Sequence, residues 1–311
     1  MTELIHRNSS GVFVIAATPF AEDGTLDLES TDKMVDFYLE CGVTGMTILG
    51  IMGEAPKLSD AESRIFAERV LARVAGRVPV IVGVSGAGLD PMRSLTSDVM
   101  AAGAAGVMVA PMQGLGPEDR LEGYFAQVCK ALGGDVPICL QDYPLTTNAR
   151  FSVDSILKIA RDNPQIVMLK HEDWPGLAKL SRVRAETGTP DQPRLSILTG
   201  NSALFLPQEM QRGADGAMTG FAFPEMMVQV VELSLKGDHD RAEDIFDAYL
   251  PLVRYEQQPG LGLAIRKETL RRRGVIASAR VRAPGPAMSA MDHDELTRLT
   301  SRLEKRLKEL G

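Results

Sequence analysis

Short apolar runs alternate with amphipathic segments along most of the chain, and the alternation is completed eight times. The apolar runs predict strands at residues 11–20, 45–50, 79–84, 106–111, 137–143, 166–170, 196–200 and 216–220. The segments that follow them predict helices at residues 28–40, 59–76, 90–102, 118–132, 152–162, 174–187, 203–213 and 224–236. Strands that are apolar at nearly every position are typical of parallel strands covered on both faces.

Eight successive strand–helix units predict a TIM (β/α)8 barrel, an α/β fold that typically takes about 250 residues. The alternative is a doubly wound open sheet, which carries a glycine-rich phosphate turn directly after its first strand. Here the first strand runs into ATPF, and the glycine-rich GVSGAG at residues 83–88 follows the third strand without the fingerprint spacing. The pattern therefore favours the barrel.

The strand pattern ends before residue 238. Three further helices are predicted at residues 238–256, 261–273 and 292–309, with the Pro- and Gly-bearing loop ASARVRAPGPAMS before the last of them. We therefore expect a catalytic barrel at residues 1–236 and a C-terminal helical region at residues 237–311, which packs on the barrel as a three-helix appendage.

Composition narrows the class of protein. Of 311 residues, 44% are hydrophobic and 24% are charged, and the mean hydropathy is near zero, as is typical of globular proteins. No apolar run is long enough to cross a bilayer, and the opening MTELIHRNSS lacks the basic and apolar regions of a signal peptide. We expect a cytoplasmic protein without a membrane partner.

Charge and cysteine spacing exclude further classes. A formal net charge of -7 argues against a nucleic-acid partner. The basic stretch IRKETLRRRG at residues 265–274 is interpreted as the solvated face of a helix, with a polyanion site as the alternative. Because Cys41, Cys129 and Cys139 are far apart and form no CxxC pair, neither a disulfide framework nor a structural zinc site is predicted.

The main candidate for chemistry is a lysine at the end of a buried strand. Four apolar residues lead directly into Lys170, where an unpaired ammonium group is costly. Active sites of (β/α)8 barrels lie at the C-terminal ends of the strands, and Tyr143 ends the preceding strand. Desolvation favours a neutral lysine amine, which can form an imine with a ketone, and a phenol can carry the protons involved. The alternative is a lysine paired with Glu172 or Asp173.

These residues belong to a longer pattern. The chain resembles the dihydrodipicolinate synthase and N-acetylneuraminate lyase family of Schiff-base barrels through GVFVIAATPFAEDGTLDLES, the loop GIMGE (50–54), Tyr143, Lys170 and GADGAMTG (213–220). The resemblance implies that Lys170 forms an imine with a 2-keto acid such as pyruvate and that Tyr143 relays protons. It also implies that the amides of the GIMGE loop hold the substrate carboxylate, and that the protein is a homotetramer or homodimer.

Several positions depart from the family's pattern. Ile51 and Met52 replace the two threonines of its usual loop, and Gln113 stands where members that make dihydrodipicolinate have a tyrosine. Threonines and Asn148 stand where the arginine that clamps a second carboxylate would be expected after Tyr143, and Arg150, two positions beyond Asn148, is a weak substitute. The C-terminal text PLVRYEQQPGLGLAIRKETLRRRGVIASARVRAP resembles that of members that dehydrate 2-keto-3-deoxy sugar acids.

The resemblance therefore favours a Schiff-base lyase, either a dehydratase or an aldolase, that acts on a hydroxylated 2-keto acid. The alternatives are a synthase that condenses pyruvate with an aldehyde and a non-catalytic barrel that binds a 2-keto acid. The candidate catalytic residues are Lys170 and Tyr143, and Glu54 is interpreted as a support for the loop. The candidate substrate-binding positions are Gly50, Ile51, Met52, Gly53, Gln113, Gly200, Asn201, Met218 and Thr219.

A metal-dependent aldolase or isomerase is a further alternative on this fold, and it requires several His, Asp or Glu ligands at one site. The four histidines are His6, His171, His239 and His293. Only His171 lies near the predicted site, and adjacent strand residues point to opposite faces, so His171 and Glu172 are not expected to share a ligand. No metal and no cofactor are expected.

Overall fold

Each of the eight apolar runs forms a parallel strand, and the strands close into a barrel in chain order. The computed structural model describes residues 3–310. The strands are β1 (Gly11–Ile15), β2 (Gly45–Ile48), β3 (Val80–Gly83), β4 (Gly106–Val109), β5 (Ile138–Asp142), β6 (Ile166–His171), β7 (Ser196–Thr199) and β8 (Gly216–Ala217). The predicted TIM barrel is confirmed.

Helices surround the strands and continue beyond them. They are α1 (Leu28–Glu40), α2 (Asp60–Val74), α3 (Leu89–Ala101), α4 (Glu118–Leu132), α5 (Pro144–Thr147), α6 (Val153–Asp162), α7 (Leu177–Glu186), α8 (Leu206–Gln211), α9 (Pro224–Leu235), α10 (His239–Glu256), α11 (Gly262–Arg272) and α12 (Ala290–Leu310). Within residues 3–310, no helix has the length and apolar character that a membrane span requires.

Local chemistry explains where several helices begin. The Ser59 side chain accepts a hydrogen bond from the backbone N–H of Glu62, and the Glu62 side chain accepts one from the backbone N–H of Ser59. This capping box begins α2 at the serine that the sequence predicts as its N-cap. α8 starts three residues later than predicted, because residues 201–203 take a left-handed turn that a right-handed helix cannot include. The apolar pattern does not predict the short α5.

Alternate strand residues point into the barrel and fill it with apolar side chains. These inward residues are Phe13, Ile15, Ile81, Met108, Cys139, Met168, Leu198 and Met218, joined by Ile5 and Ala105. Ile5 comes from the N-terminal segment, whose backbone N–H donates to the Ala105 carbonyl at 2.9 Å. The interior is therefore a packed apolar core, and polar chemistry is confined to the ends of the strands.

The three predicted C-terminal helices are present as α10, α11 and α12. α10 packs against α9 and α12, and the rings of Phe223 and Tyr249 meet with centroids 5.7 Å apart. The connection from α10 to α11, residues 257–261, reaches the C-terminal ends of the barrel strands and contributes to the cavity there.

The basic stretch at residues 265–274 is only partly a solvated helix face: Arg271 and Arg272 are exposed as predicted, but for Arg266 and Lys267 the prediction is wrong. In α11, Arg266 is 2% exposed and Lys267 is fully buried. Arg266 Nε donates to Glu256 Oε1 at 2.5 Å, and Lys267 Nζ donates to Glu54 Oε1 at 2.5 Å. These cations can be buried because a carboxylate faces each of them. The pairing of Lys267 with Glu54 could not be predicted from the local charge pattern, because Glu54 is 213 positions away in the sequence.

Candidate active site

The pairing of β5 with β6 places Gln141 directly beside Lys170. Partner residues of parallel strands point to the same face, so both side chains turn inward while Asp142 and His171 turn outward. Met168, two residues before Lys170, lies in the apolar barrel core. Lys170 thus stands at the point where the apolar interior ends and a polar cavity begins.

Glu172 contacts Lys170 at this point. Lys170 Nζ lies 3.1 Å from Glu172 Oε2, and the same oxygen accepts from Gln141 Nε2 at 2.6 Å. All three side chains are buried. The lysine is therefore paired, as the alternative interpretation of the sequence had it, but the pair faces the cavity. Alternation along the strand decides between the two candidate partners in favour of Glu172, since residues 170 and 172 share a face.

A glycine makes room for this carboxylate. A Cβ on Gly200 would lie 2.3 Å from Glu172 Cγ and 2.4 Å from Glu172 Oε1. Gly200 follows β7 directly, and its backbone N–H donates to the His171 carbonyl at 3.1 Å. Gly200 therefore acts through the position of Glu172, and it does not itself line the cavity.

Tyr143 follows β5 and lines the same cavity as Lys170. Burial, and to a smaller extent the neighbouring Glu172 carboxylate, raise the pKa of the Tyr143 phenol above its ordinary value. The phenol therefore keeps its proton at neutral pH and can donate a hydrogen bond to a substrate oxygen.

The cavity at the C-terminal end of the barrel has a volume of about 480 Å³, within the range of small-molecule sites. Six of the predicted site residues line it, namely Lys170, Tyr143, Ile51, Met52, Asn201 and Thr219. Its other polar lining residues are Gln141, Glu172, Thr146, Ser202, Glu256, Gln257, Gln258 and Arg266. Arg266 and the residues of the α10–α11 connection were not predicted as site residues.

Five predicted substrate-binding residues do not line this cavity; besides three glycines, they are Gln113 and Met218. Gln113 is exposed in the loop after β4, and its side-chain amide donates to the Thr146 carbonyl at 3.3 Å. Met218 is fully buried in the barrel core, where Cys139 Sγ lies 3.9 Å from its sulfur. Gln113 therefore contacts the α5 segment, and Met218 contributes to the floor of the barrel.

The GIMGE loop forms a tight turn at Ile51–Gly53, flanked by Leu49 and Glu54 with φ angles of 53° and 57°. Gly50 lines a second cavity that adjoins the first, and the Gly53 carbonyl accepts from Thr18 Oγ1 at 2.5 Å. Both glycines shape the turn, and neither lines the cavity that contains Lys170.

The carboxylate of Glu54 anchors this turn. It is buried, and it receives Lys267 Nζ at 2.5 Å, Lys57 Nζ at 2.9 Å and the backbone N–H of Arg282 at 2.9 Å. Lys267 Nζ also lies 4.5 Å from the centre of the Phe20 ring. With its hydrogen bonds directed at the protein, Glu54 supports the loop, which agrees with its interpretation from sequence.

The segment after β7 has an unusual backbone. Asn201, Ser202 and Ala203 have φ angles of 51°, 52° and 66° in succession, a conformation that costs free energy in residues other than glycine and clusters at functional sites. The Ser202 N–H donates to Thr219 Oγ1 at 2.8 Å. The buried Asn201 Oδ1 has no hydrogen-bond partner among residues 3–310.

Arg266 reaches the cavity from α11. It donates to Glu256 Oε1 and to the Gly220 carbonyl, and a Cβ on Gly220 would lie 2.0 Å from Arg266 Nη1. Arg150, the sequence-based substitute for a carboxylate clamp, lies elsewhere, because its side chain is 72% exposed and nearest to Asp173. The arginine at the cavity is thus Arg266, which pairs with Glu256 through Nε, while its buried Nη1 has no hydrogen-bond partner among residues 3–310.

A second polar cluster lies on the outer side of β6. His171 Nδ1 lies 3.7 Å from Asp142 Oδ2, and Lys179 Nζ donates to the same oxygen at 2.6 Å. Nearby, burial raises the pKa of the Glu209 carboxyl to about 7. His171 and Glu172 point to opposite sides of the strand, as the alternation predicts. Among the residues described, no three His, Cys, Asp or Glu side chains converge in a way that could hold a metal ion.

The amino-acid sequence is similar to known proteins over nearly the whole chain. The model of the dihydrodipicolinate synthetase family matches residues 8–305. An L-2-keto-3-deoxyarabonate dehydratase of Azospirillum brasilense is 33% identical over 310 residues, which are 98% of this chain and 97% of the relative. A probable 2-dehydro-3-deoxy-D-pentonate aldolase of Escherichia coli is 28% identical over 235 residues, 75% of this chain and 76% of the relative.

A solved structure is also similar throughout. The crystal structure of a dihydrodipicolinate synthase from Rhodopseudomonas palustris has a TM-score of 0.95 and 47% sequence identity. The alignment covers 97% of this chain and 100% of that one. Barrel and C-terminal helices are therefore shared with it.

Proposed function

Because the chain belongs to the dihydrodipicolinate synthetase family, we propose that Lys170 forms a Schiff base with a 2-keto acid and that the enzyme is a lyase that dehydrates a 2-keto-3-deoxy sugar acid. The observation that carries this proposal is the buried Lys170–Glu172–Gln141 group at the end of β6. The name of the A. brasilense relative supplies the substrate class.

Glu172 is placed to activate the lysine. An ammonium group cannot attack a carbonyl, and transfer of one proton from Lys170 Nζ to Glu172 Oε2, 3.1 Å away, leaves a neutral amine. Gln141 Nε2 donates a 2.6 Å hydrogen bond to the same carboxylate oxygen, which holds that oxygen in place beside Lys170 Nζ. The amine then attacks the keto carbon C2, and loss of water from the carbinolamine gives the imine.

Dehydration follows from the imine. The iminium group withdraws electrons from C3, so a proton leaves C3 and the pair of electrons forms an enamine. The enamine expels the C4 hydroxyl, which takes up a proton and leaves as water. Hydrolysis of the product imine consumes one water and frees Lys170. The Tyr143 phenol and the Glu172 carboxyl both line the cavity and can supply and accept these protons.

The substrate carboxylate is assigned to the GIMGE turn. The backbone N–H groups of Ile51 and Met52 have no protein acceptor among residues 3–310, and both residues line the cavity. Consecutive free amides of this kind bind anions. The side chains of Ile51 and Met52 cannot relay protons, which leaves that role to Tyr143 and Glu172.

Borohydride trapping tests the proposal. The purified protein is incubated with pyruvate or with a 2-keto-3-deoxypentonate in the presence of borohydride, and adducts are located by intact and peptide mass spectrometry. We expect a reduced adduct on the peptide that contains Lys170, its absence in Lys170→Ala, and its persistence in Lys33→Ala, which changes an exposed lysine. No adduct with any 2-keto acid would contradict the Schiff-base mechanism.

Product analysis separates dehydration from aldol cleavage. Release of a dehydrated five-carbon product supports the dehydratase, whereas release of pyruvate and a two-carbon aldehyde identifies an aldolase. A synthase is distinguished by condensation of pyruvate with an added aldehyde.

Assembly and location belong to the same proposal. We infer from the opening of the sequence that the protein is cytoplasmic, and from the family resemblance that it is a homodimer or homotetramer. Light scattering after size-exclusion chromatography tests the assembly, and a mass equal to that of one chain across the concentration range used for activity would contradict it.

A further inference from the structure

One wall of the cavity is built by the C-terminal helices. The connection from α10 to α11 contributes Gln257, Gln258, Pro259 and Gly260 to the lining. The turn into α11 is tight, since a Cβ on Gly262 would lie 2.2 Å from the Glu256 carbonyl oxygen. The ion pair of Glu256 with Arg266 joins the two ends of this connection, so its position is fixed.

The two glutamines of this wall differ in their hydrogen bonds. Gln258 Nε2 donates to the Tyr255 carbonyl at 2.8 Å, so its amide is already engaged. The amide of Gln257 is half-buried and has no hydrogen-bond partner within residues 3–310. An amide offers both a donor and an acceptor, which matches a hydroxyl group.

A second side-chain amide in the cavity lining, that of Asn201, also has an atom without a hydrogen-bond partner among residues 3–310. Asn201 lines the cavity from the end of β7, is 8% exposed, and has a buried Oδ1 without a partner in the part of the chain that the structure describes. A buried polar atom without a partner is costly, and a ligand that bonds to it recovers that cost. Its backbone is held in the left-handed turn described above, which fixes where the amide points.

The charges of the cavity are balanced before a substrate enters. The charged residues that line it, within residues 3–310, are Lys170, Glu172, Glu256 and Arg266. They form two pairs, with distances of 3.1 Å for Lys170–Glu172 and 2.5 Å for Arg266–Glu256. Arg266 Nη1 is buried and has no hydrogen-bond partner among residues 3–310, but the charge of Arg266 is already paired with that of Glu256. A second substrate carboxylate would therefore meet no unpaired cation, and buried charge without a partner is unfavourable.

We propose that Gln257 and Asn201 are specificity-determining residues, which bond to the distal hydroxyl groups of the substrate. The cavity thereby selects a 2-keto acid with a hydroxylated, uncharged chain end over one that ends in a second carboxylate. This inference rests on the proposed function, because the position of the chain end follows from attachment of C2 to Lys170.

The test compares four probes in the borohydride trapping assay. Pyruvate has no distal end, while 2-oxopentanoate, a 2-keto-3-deoxypentonate and 2-oxoglutarate share five carbons and end in a methyl, a hydroxymethyl and a carboxylate group. For the wild-type protein, we expect the half-saturating concentration to be lowest for the hydroxylated five-carbon probe and highest for 2-oxoglutarate. In Gln257→Leu and Asn201→Leu, the preference for the hydroxylated probe over 2-oxopentanoate falls by about tenfold, the size expected for one neutral hydrogen bond.

Pyruvate provides the internal control, because it lacks the distal end and its trapping reports whether the imine site of each variant is intact. Gln211→Leu makes the same chemical change at an exposed amide outside the cavity and should behave as wild type. If pyruvate is trapped but the variants keep the full preference for hydroxyls, or if 2-oxoglutarate binds as well as the hydroxylated probe, the inference is wrong and the proposed function stands. If pyruvate is not trapped by the wild-type protein, the proposed function itself fails.

Discussion

Lys170 and Glu172 are two residues apart, and the alternation of β6 turns both side chains into the cavity, where Nζ and Oε2 are 3.1 Å apart. The proposed proton acceptor for the lysine thus directly follows the strand that carries it. Gln141, which β5 places opposite Lys170, fixes the carboxylate from the side. Activation of the amine therefore needs no movement of a loop.

Replacing the Glu172 carboxylate should lower turnover while leaving the fold intact. In Glu172→Gln, we expect turnover of a 2-keto-3-deoxypentonate to fall by about 10²- to 10⁴-fold, the usual contribution of a positioned acid–base group. Steady-state kinetics give kcat and KM, and circular dichroism checks the fold. Glu172→Asp keeps the carboxyl group and should retain more activity than Glu172→Gln. Equal activity of the glutamine variant and the wild type would exclude a proton-transfer role.

A glycine outside the cavity lining should affect the same carboxylate. In Gly200→Ala, the added methyl group meets Glu172 Cγ and Oε1 at 2.3 and 2.4 Å, so Glu172 must leave its position and turnover should fall at least tenfold. Gly123→Ala is the matched control, because nothing lies within 4 Å of its added Cβ. It lies within α4, where alanine is the better helix former. A Gly200→Ala enzyme with normal kcat would show that the position of Glu172 is unimportant.

The buried lysine of α11 should matter for stability. Lys267→Met leaves the buried Glu54 carboxylate with Lys57 and one backbone N–H, and loss of one partner of a buried pair typically costs about 3–5 kcal/mol. Lys57→Met removes the partly exposed partner, and we expect about 1 kcal/mol or less. Urea denaturation gives both free energies of unfolding. Equal losses in the two variants would contradict the assigned role of Lys267.

Glu209 should make stability depend on pH. Its folded-state pKa of about 7 is above the ordinary carboxyl value, so between about pH 4.5 and 7 the folded protein binds more protons than the unfolded chain. The contribution of Glu209 to stability therefore falls as pH rises through this window, by up to about 3 kcal/mol. Glu209→Gln removes the titration and should gain stability relative to wild type at pH 8 but not at pH 5.

Denaturation curves at pH 5, 6, 7 and 8 measure that difference. Glu232→Gln changes an exposed glutamate, and its difference from wild type should stay constant over the same range. A constant difference for Glu209→Gln as well would refute the pH effect.

The barrel could be predicted from sequence because its signal is local and repeated. Each buried parallel strand is apolar along its length, and each unit adds the same short pattern. The strand-end rule was sufficient to bring Lys170 and Tyr143 to one cavity. The same rule extended to Gln113 and Met218 does not place them in the lining, since a loop side chain can turn outward and a strand residue can point down into the core.

The remaining parts of the site depend on contacts between distant segments. Arg266 and Lys267 look like surface charges in their own helix, and only the folded chain brings Glu256 and Glu54 to them. Gln257 stands in a connection whose path over the barrel no periodicity encodes. The free amide of Gln257 and the balance of charge in the cavity are therefore properties of the tertiary structure alone.

The contact of Glu54 with Lys267 joins residues that are 213 positions apart, and this has a consequence for synthesis. A ribosome makes Glu54 and Lys57 long before Lys267, so the nascent barrel holds this carboxylate with only its partly exposed lysine partner. We expect the GIMGE turn to take its final position only after α11 has docked. We therefore expect a stalled nascent chain that contains every strand but lacks α11 to fail to retain a 2-keto acid. Binding of the 2-keto acid would then report that α11 has been synthesised and has docked.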